Sequence, residues 1–272
     1  MTYSVTLPLT GYAGWNFLKR TQEKQQTLLS QNTVQQRDEA YFRDKIGSID
    51  TAEELVADRR LLRVALGAFG LENDINNKFF IRKVLESSIL EPKSLANKLS
   101  DKRYKEMAEA FGFGTFATPS TKLSTFADDI LTKFRQQTFE TSVGEVNGSL
   151  RIALYAERTL PELAAKTQSQ ATKWYTVIGS EPLRNLFQTV FNLPSSFGTL
   201  DVDQQVTTLQ KKSKAMFGSA SLDQFSDADT MKKLLRNYIV RAEIASGDIS
   251  GTTKGASALQ ILQATQSFSL RL

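Results

Sequence analysis

The sequence predicts an all-α protein of two related multi-helix units, residues 1–120 and 121–244, followed by a flexible tail, residues 245–272. Three observations lead to this prediction. Apolar residues recur with the 3.6-residue period of a helix along most of the chain. Helix start and stop signals bracket these periodic stretches. The pattern of the first half also returns about 108 residues further on, which indicates an internal duplication.

The first unit opens with two predicted helices, over residues 12–29 and 34–46. A third is expected to start at Asp50, because this residue can cap a helix and Glu53 follows at the capping-box spacing. The third helix is expected to continue to Gly70, which would end it in the left-handed conformation. Four residues form its core-facing stripe: Leu55, Leu62, Leu66 and Phe69.

The stretch from Asp58 to Phe80, DRRLLRVALGAFGLENDINNKFF, raises the question of a ligand site. A phosphate cradle needs several glycines between a strand and a helix, whereas Gly67 and Gly70 fall at a helix end. A calcium loop needs a central glycine and alternating acids, which this stretch lacks. The residues instead predict a helix stop, an apolar contact at Leu71, a cap at Asn73 or Asp74, and another helix.

The second unit repeats this plan. Its predicted helices span residues 125–158, begin again after Thr159, and stop at Gly179 and Gly218. Five pairs of apolar residues are each 108 positions apart: Phe42 and Leu150, Ile46 and Leu154, Leu55 and Leu163, Leu66 and Trp174, and Phe79 and Phe187. These parallels favour two related units with separate helical frameworks. In the tail, residues 258–263 are predicted to form a short helix.

Composition limits the chemistry that the chain can carry. It contains no cysteine and no histidine. Thiolate nucleophiles, Ser-His-Asp triads and metal sites built from Cys or His are therefore excluded. We expect no catalytic residues, no cofactor and no metal. A hydrolase or lyase that uses carboxylates stays open, but it would need two acids with perturbed protonation in one concave pocket.

A net charge of +5 and a pI near 9.3 indicate a mild attraction to polyanions. The basic residues expected to form a candidate partner-binding surface are Arg59, Arg60, Arg63, Lys211, Lys212 and Lys214. No nucleic-acid-binding motif accompanies them, so a nucleic-acid partner is not favoured. A basic helical module that binds nucleic acid or acidic proteins is kept as the alternative function, provided that the two groups share one face.

The lack of a recognisable targeting signal favours a cytoplasmic product. The N-terminal residues MTYSVTLPLTGYAGWNF lack a basic segment followed by an unbroken apolar run, so no secretory signal is expected. No apolar run approaches the roughly 18 residues that a membrane-spanning helix needs. The oligomeric state is left open.

Four segments of the first unit resemble a known family. They are FLKRTQEKQQ (17–26), QRDEAYFRDKI (36–46), residues 51–87 and residues 94–114. They are similar to the alphaproteobacterial domain-of-unknown-function family twelve-seventeen. The resemblance is strongest over residues 12–114 and weaker over 125–245. Its most specific elements are Leu-Val-x-Asp-x-x-Leu-Leu, ending at Leu62, and Ala-Phe-Gly-Leu, ending at Leu71.

The resemblance implies a function but no catalytic residues. Genes of this family are frequently found among flagellar genes, so it implies a flagellum-associated protein. The tail lacks the sustained heptads of flagellar filament subunits. We therefore expect a non-enzymatic accessory or structural protein that binds other proteins, including flagellar components, during assembly or export. The binding site would be a surface, either the groove between the units or the tail.

Overall fold

A computed structural model describes residues 4–246 of the chain. Within these residues it contains 13 α-helices and no strand, which confirms the all-α prediction. The helices are α1 (Gly11–Ser30), α2 (Thr33–Lys45), α3 (Ala52–Ala57), α4 (Arg59–Ala68), α5 (Lys78–Leu85), α6 (Leu95–Lys98), α7 (Lys102–Phe111), α8 (Phe126–Val146), α9 (Gly148–Ala165), α10 (Gln170–Gly179), α11 (Glu181–Val190), α12 (Val202–Phe217) and α13 (Ala228–Ser246). Most of the predicted tail, with its short helix at 258–263, lies outside the described residues.

The buried apolar residues form two separate cores. The first core takes its side chains from residues 42–131, and thus from helices α2 to α8. The second core joins residues 5–29 to residues 139–239. Helix α8 contributes to both, because its first half buries Ile130 and Leu131 in the first core and its second half buries Phe139 and Val143 in the second.

Helix α1 packs in the second core. Trp15, Leu18 and Leu29 are buried there, and α1 contacts α13 and α8. The predicted ranges 1–120 and 121–244 had placed this helix in the first unit. It lies elsewhere because its apolar face covers helices that come more than 100 residues later, a pairing that local sequence does not encode.

The predicted third helix is interrupted at Asp58, which separates α3 from α4. The backbone of Asp58 is extended there, and its carboxylate accepts hydrogen bonds from the amides of Arg60 and Leu61. Asp58 therefore caps a new helix. The capping box of α3 lies one residue later than predicted, between Thr51 and Glu54.

The glycine predictions had mixed outcomes. Gly70 has a φ of 68°, and the amide of Leu71 donates to the Leu66 carbonyl over 2.9 Å, which confirms the Schellman ending. Gly218 is also left-handed. Gly179, in contrast, is simply the last residue of α10. The predicted cap at Thr159 was wrong, because α9 runs through it to Ala165.

The duplication stays a prediction. Four of the five residue pairs separated by 108 positions are buried at both members. The fifth pair differs, because Phe79 is 72% exposed whereas Phe187 is fully buried. The two members of that pair thus occupy different environments, although α5 and α11 are both amphipathic helices.

Candidate functional site

Three cavities lie along α8, and all three are lined by Gln136. Their volumes are about 410, 240 and 590 Å³. The first lies among α4, α7, α8 and α9, the second among α1, α8 and α9, and the third among α1, α2 and α8. Because all three are lined by Gln136, we describe these neighbouring cavities together and call them the inter-core furrow.

The first cavity of the furrow is lined by charged side chains of both signs. Its basic residues are Arg103, Lys133, Arg158 and Lys166, and its acidic residues are Glu106, Glu109 and Glu162. These side chains come from helices of both cores or, for Lys166, from the residue that follows α9. The cavity therefore lies between the two cores.

Arg158 forms the central ion pair of the furrow. Its Nε and Nη2 atoms donate to the two carboxylate oxygens of Glu140 over 3.0 and 3.3 Å. The guanidinium also lies 5.3 Å from the centre of the Tyr155 ring. Glu140 is buried, and burial raises its pKa although Arg158 favours the charged form. The pair joins α8 to α9 beneath the furrow.

Arg103 connects α7 to the end of α4. Its Nη1 atom donates to the carbonyl oxygen of Gly70 over 2.5 Å, and its Nη2 atom lies 2.7 Å from the Asp101 carboxylate. The left-handed turn at Gly70 presents this carbonyl to the arginine. The Schellman ending that the sequence predicted thus helps to position one wall of the first cavity.

Several polar groups of the first cavity lack a partner. Glu106, Glu162 and Lys166 form no ion pair within the described residues, and the hydroxyl of Thr159 is buried without a hydrogen-bond partner there. Burial raises the pKa of Glu106, and Glu162 adds to this rise, whereas nearby cations oppose it. The cavity therefore offers both charges and hydrogen-bonding groups to a ligand.

Amides and hydroxyls make up most of the lining of the third cavity, and three glutamines line the second beside Glu140, Glu157 and Arg158. Gln22, Gln26 and Gln136 line the second, and Gln26, Gln35 and Gln136 line the third, above the apolar floor of Leu29 and Phe139. At the edge of the third cavity, a buried cluster links α2 to α8. Its Glu39 carboxylate accepts from Arg135 over 2.5 Å and from Gln35 over 2.8 Å.

The predicted arginines lie outside the furrow. Arg60 and Arg63 both donate to the buried carboxylate of Asp38, over 3.1 and 2.9 Å. Arg60 also stacks on the Tyr41 ring, 4.2 Å from its centre. Arg59 lies 3.4 Å from the side-chain oxygen of Asn76. Arg60 and Arg63 thus hold α2 against α4 through their shared ion pairs with Asp38.

The three predicted lysines, unlike Arg60 and Arg63, are not held in ion pairs with described residues. Lys211, Lys212 and Lys214 are exposed on α12 and form no ion pair with a described residue. Helix α12 packs on α10 in the second core, whereas α4 belongs to the first core. The six predicted residues therefore lie on elements of different cores, and none of them lines the furrow.

Sequence reasoning suggested a groove between the units but assigned none of the residues that line the furrow to a site. Glu140 follows the buried Phe139, and a carboxylate beside an apolar stripe was the one available signal. The glutamines gave no signal, because their positions become neighbours only through the packing of α1 on α8. Among the described side chains, no group of three or more His, Cys, Asp or Glu residues is arranged to hold a metal ion. Within residues 4–246, no helix has both the length and the apolarity that a membrane crossing requires.

The fold and the furrow define the class of protein: an all-α protein with two helical cores separated by a polar, amide-lined depression. The chain belongs to a family described as protein of unknown function (DUF1217), whose pattern matches residues 68–231. The family resemblance seen in the sequence is thereby confirmed. The match includes all of α8 and thus the helix that forms the floor of the furrow.

The fold is similar to that of a solved structure. This is the X-ray crystal structure of protein AGR_C_984 from Agrobacterium tumefaciens, a structural genomics target. It has a TM-score of 0.72 and 27% sequence identity, over 89% of this chain and 99% of that one. A search of curated proteins finds no match.

Proposed function

We propose that this protein is a non-enzymatic, flagellum-associated accessory or structural protein that acts by binding another protein in the inter-core furrow. The structural support is the furrow itself, in which unpaired polar groups from both cores line neighbouring cavities. The flagellar part of the proposal is supported by the resemblance to a family whose genes lie among flagellar genes. The partner would be a flagellar component during assembly or export.

The cellular location follows from the same proposal. The protein would act in the cytoplasm, where flagellar components are made, and would join the flagellum through its partner. Its basic surface on α12 would then be available for a second contact, because the furrow lies among other helices.

An in-frame deletion in the native organism tests this function. We expect the deletion to reduce swimming and to leave incomplete or missing filaments under the microscope, and we expect the full-length gene to restore both. A second complementing gene that ends at Gly247 tests whether the tail takes part. Normal swimming and normal filaments in the deletion strain would contradict the proposal.

The alternative, a basic module that binds nucleic acid or acidic proteins, has weaker support. Arg60 and Arg63 are committed to Asp38, so the exposed lysines of α12 would have to act largely alone. Such binding would fall steeply as salt increases. A titration with duplex DNA at two salt concentrations, comparing the wild type with Lys211→Gln/Lys212→Gln/Lys214→Gln, measures this directly.

A carboxylate-based hydrolase or lyase gains one supporting observation, the raised pKa of Glu106 beside Glu162 in the first cavity. Such an enzyme needs an acid that stays protonated near neutral pH. The cations Lys133 and Lys166 oppose that state. An NMR titration of the Glu106 carboxyl carbon that gave an apparent pKa near 7 would favour catalysis over binding.

A further inference from the structure

Side-chain amides are concentrated in the second and third cavities of the furrow. Gln26 and Gln136 line both cavities, and neither side chain forms a hydrogen bond with another described residue. Each amide offers two donors and an acceptor. Most of the charged groups that line these cavities are paired, because Arg135 pairs with Glu39, Arg158 with Glu140 and Glu157 with Lys19. Glu23 is the exception and forms no ion pair within the described residues.

Gln25, elsewhere in the molecule, shows how a glutamine amide binds a polypeptide backbone. On a neighbouring face of α1, Gln25 pairs with the N-terminal segment before this helix, which is neither helix nor strand. Its Oε1 atom accepts from the backbone amide of Thr6 over 2.9 Å, and its Nε2 atom donates to the Thr6 carbonyl over 3.2 Å. One glutamine thus satisfies both backbone groups of one residue.

We propose that the inter-core furrow binds an extended, uncharged polar segment of a partner protein, and that Gln26 and Gln136 pair with its backbone as Gln25 pairs with Thr6. This inference rests on the proposed protein-binding function and names the chemistry of the partner. An extended segment fits because its backbone donors and acceptors are free, whereas those of a helix are already paired. An uncharged segment fits because the ion pairs at the edges of these cavities leave little net charge to attract one.

The dimensions suit a short segment. The furrow follows α8 from Thr132 to Glu140, which at 1.5 Å per residue is about 12 Å. An extended chain advances about 3.3 Å per residue, so about four residues lie along this length. The apolar floor at Leu29 and Phe139 would accept one or two side chains of the segment, while the glutamines hold its backbone.

A phage-displayed library of random peptides, selected on the purified full-length protein, tests the proposal without knowledge of the partner. We expect the enriched peptides to be uncharged and polar around at most two apolar residues. A synthetic copy of the best peptide with N-methyl groups on alternate backbone nitrogens should bind about tenfold or more weakly, because each lost hydrogen bond costs about 1 kcal/mol. Equal binding by the methylated copy would overturn the proposal.

The double variant Gln26→Leu/Gln136→Leu locates the binding site. We expect it to keep the wild-type melting temperature and to bind the peptide about tenfold more weakly. The matched control is Gln204→Leu, an exposed glutamine on α12 outside the furrow, which should bind as the wild type does. Unchanged binding by the double variant, or failure of the library to yield any binder, would overturn the proposal.

Two further outcomes separate this inference from the proposed function. If a peptide of residues 247–272 outcompetes every selected peptide, the occupant is the chain's own C-terminal segment and the partner proposal is overturned. If the double variant restores swimming to the deletion strain in full, the furrow inference fails while the flagellar function stands. If the library yields furrow binders but the deletion strain swims normally, the flagellar function fails while the furrow inference stands.

Discussion

The two cores of this protein are assembled in different ways. The first core comes from one continuous stretch, residues 42–131, in which α4 packs on α2 and on the more distant α8. The second core needs residues 5–29 to close over helices that end at residue 239. The first core thus closes within one continuous stretch of the chain, whereas the second depends on a pairing between the two ends of the described chain.

The buried charges of the two regions also differ. An acid, Asp38, is buried between α2 and α4 and is paired with two half-exposed arginines. A base, Lys173, is buried beside the second core, where its Nζ atom lies 2.6 Å from both the Ala164 carbonyl and the Asp223 carboxylate. In each region the partner reaches the surface, which lowers the cost of burying the charge. The second region also buries an acid, Glu140, which pairs with Arg158, so the buried base Lys173 is what distinguishes it from the first region.

The largest expected effect is the loss of stability when a buried leucine of the second core is truncated. Tryptophan fluorescence reports on this core. Trp15 and Trp174, the two tryptophans of the sequence, both lie in the second core. Leu18→Ala should destabilise that core by about 2–5 kcal/mol, because Leu18 is fully buried and the change leaves a cavity. Denaturant unfolding followed by tryptophan fluorescence measures this loss.

The matched variant in the first core is Leu62→Ala, at an equally buried site. We expect it to shift the unfolding seen by far-UV circular dichroism by a similar amount while changing the fluorescence transition less. Equal shifts in both signals for both variants would show instead that the cores unfold as one unit through the shared helix α8.

An intermediate effect is expected at the boundary between the first core and the furrow. Gly70→Ala should cost about 1–2 kcal/mol, because φ is 68° there and an L side chain is strained in that region. The control, Gly198→Ala, lies outside the left-handed region with open space around it and should change stability by less than about 0.5 kcal/mol. Thermal unfolding of both variants would show no difference if the strain at Gly70 were unimportant.

The smallest expected effect concerns the ion pair between Lys173 and Asp223 beside the second core. The hydrogen bond from Lys173 lowers the pKa of Asp223 below its ordinary value of 3.8. A lowered carboxyl pKa gives stability that is present above the unfolded pKa and is lost as the pH falls through the folded one. Asp223→Asn should therefore reduce stability at pH 7 by at most about 1 kcal/mol and reduce its loss as the pH falls below about 4.

The check is urea unfolding at pH 7 and pH 3, with Asp129→Asn as the control. Asp129 also lies in the first turn of a helix but forms no ion pair within the described residues. The same acid sensitivity in wild type and Asp223→Asn would exclude a role for this ion pair.

The sequence was sufficient for the helices and for several of their ends. The periodicity of Leu55, Leu62 and Leu66 predicted residues that are all fully buried. The pattern Ala-Phe-Gly-Leu predicted the left-handed Gly70. Such features depend on residues within a turn or two of each other, so local steric and hydrogen-bonding rules decide them.

The sequence also determined that cysteine and histidine chemistry is absent from this protein, since composition alone decides this. Only the tertiary structure decided that α1 belongs to the second core and that Arg60 and Arg63 pair with Asp38. It also decided that Gln26 and Gln136 line the same cavity. The physical reason is that these contacts join residues that are 22 to 110 positions or more apart, and helices with similar apolar stripes can pack in many arrangements. The free energy of the whole packed structure decides which helix packs on which apolar stripe.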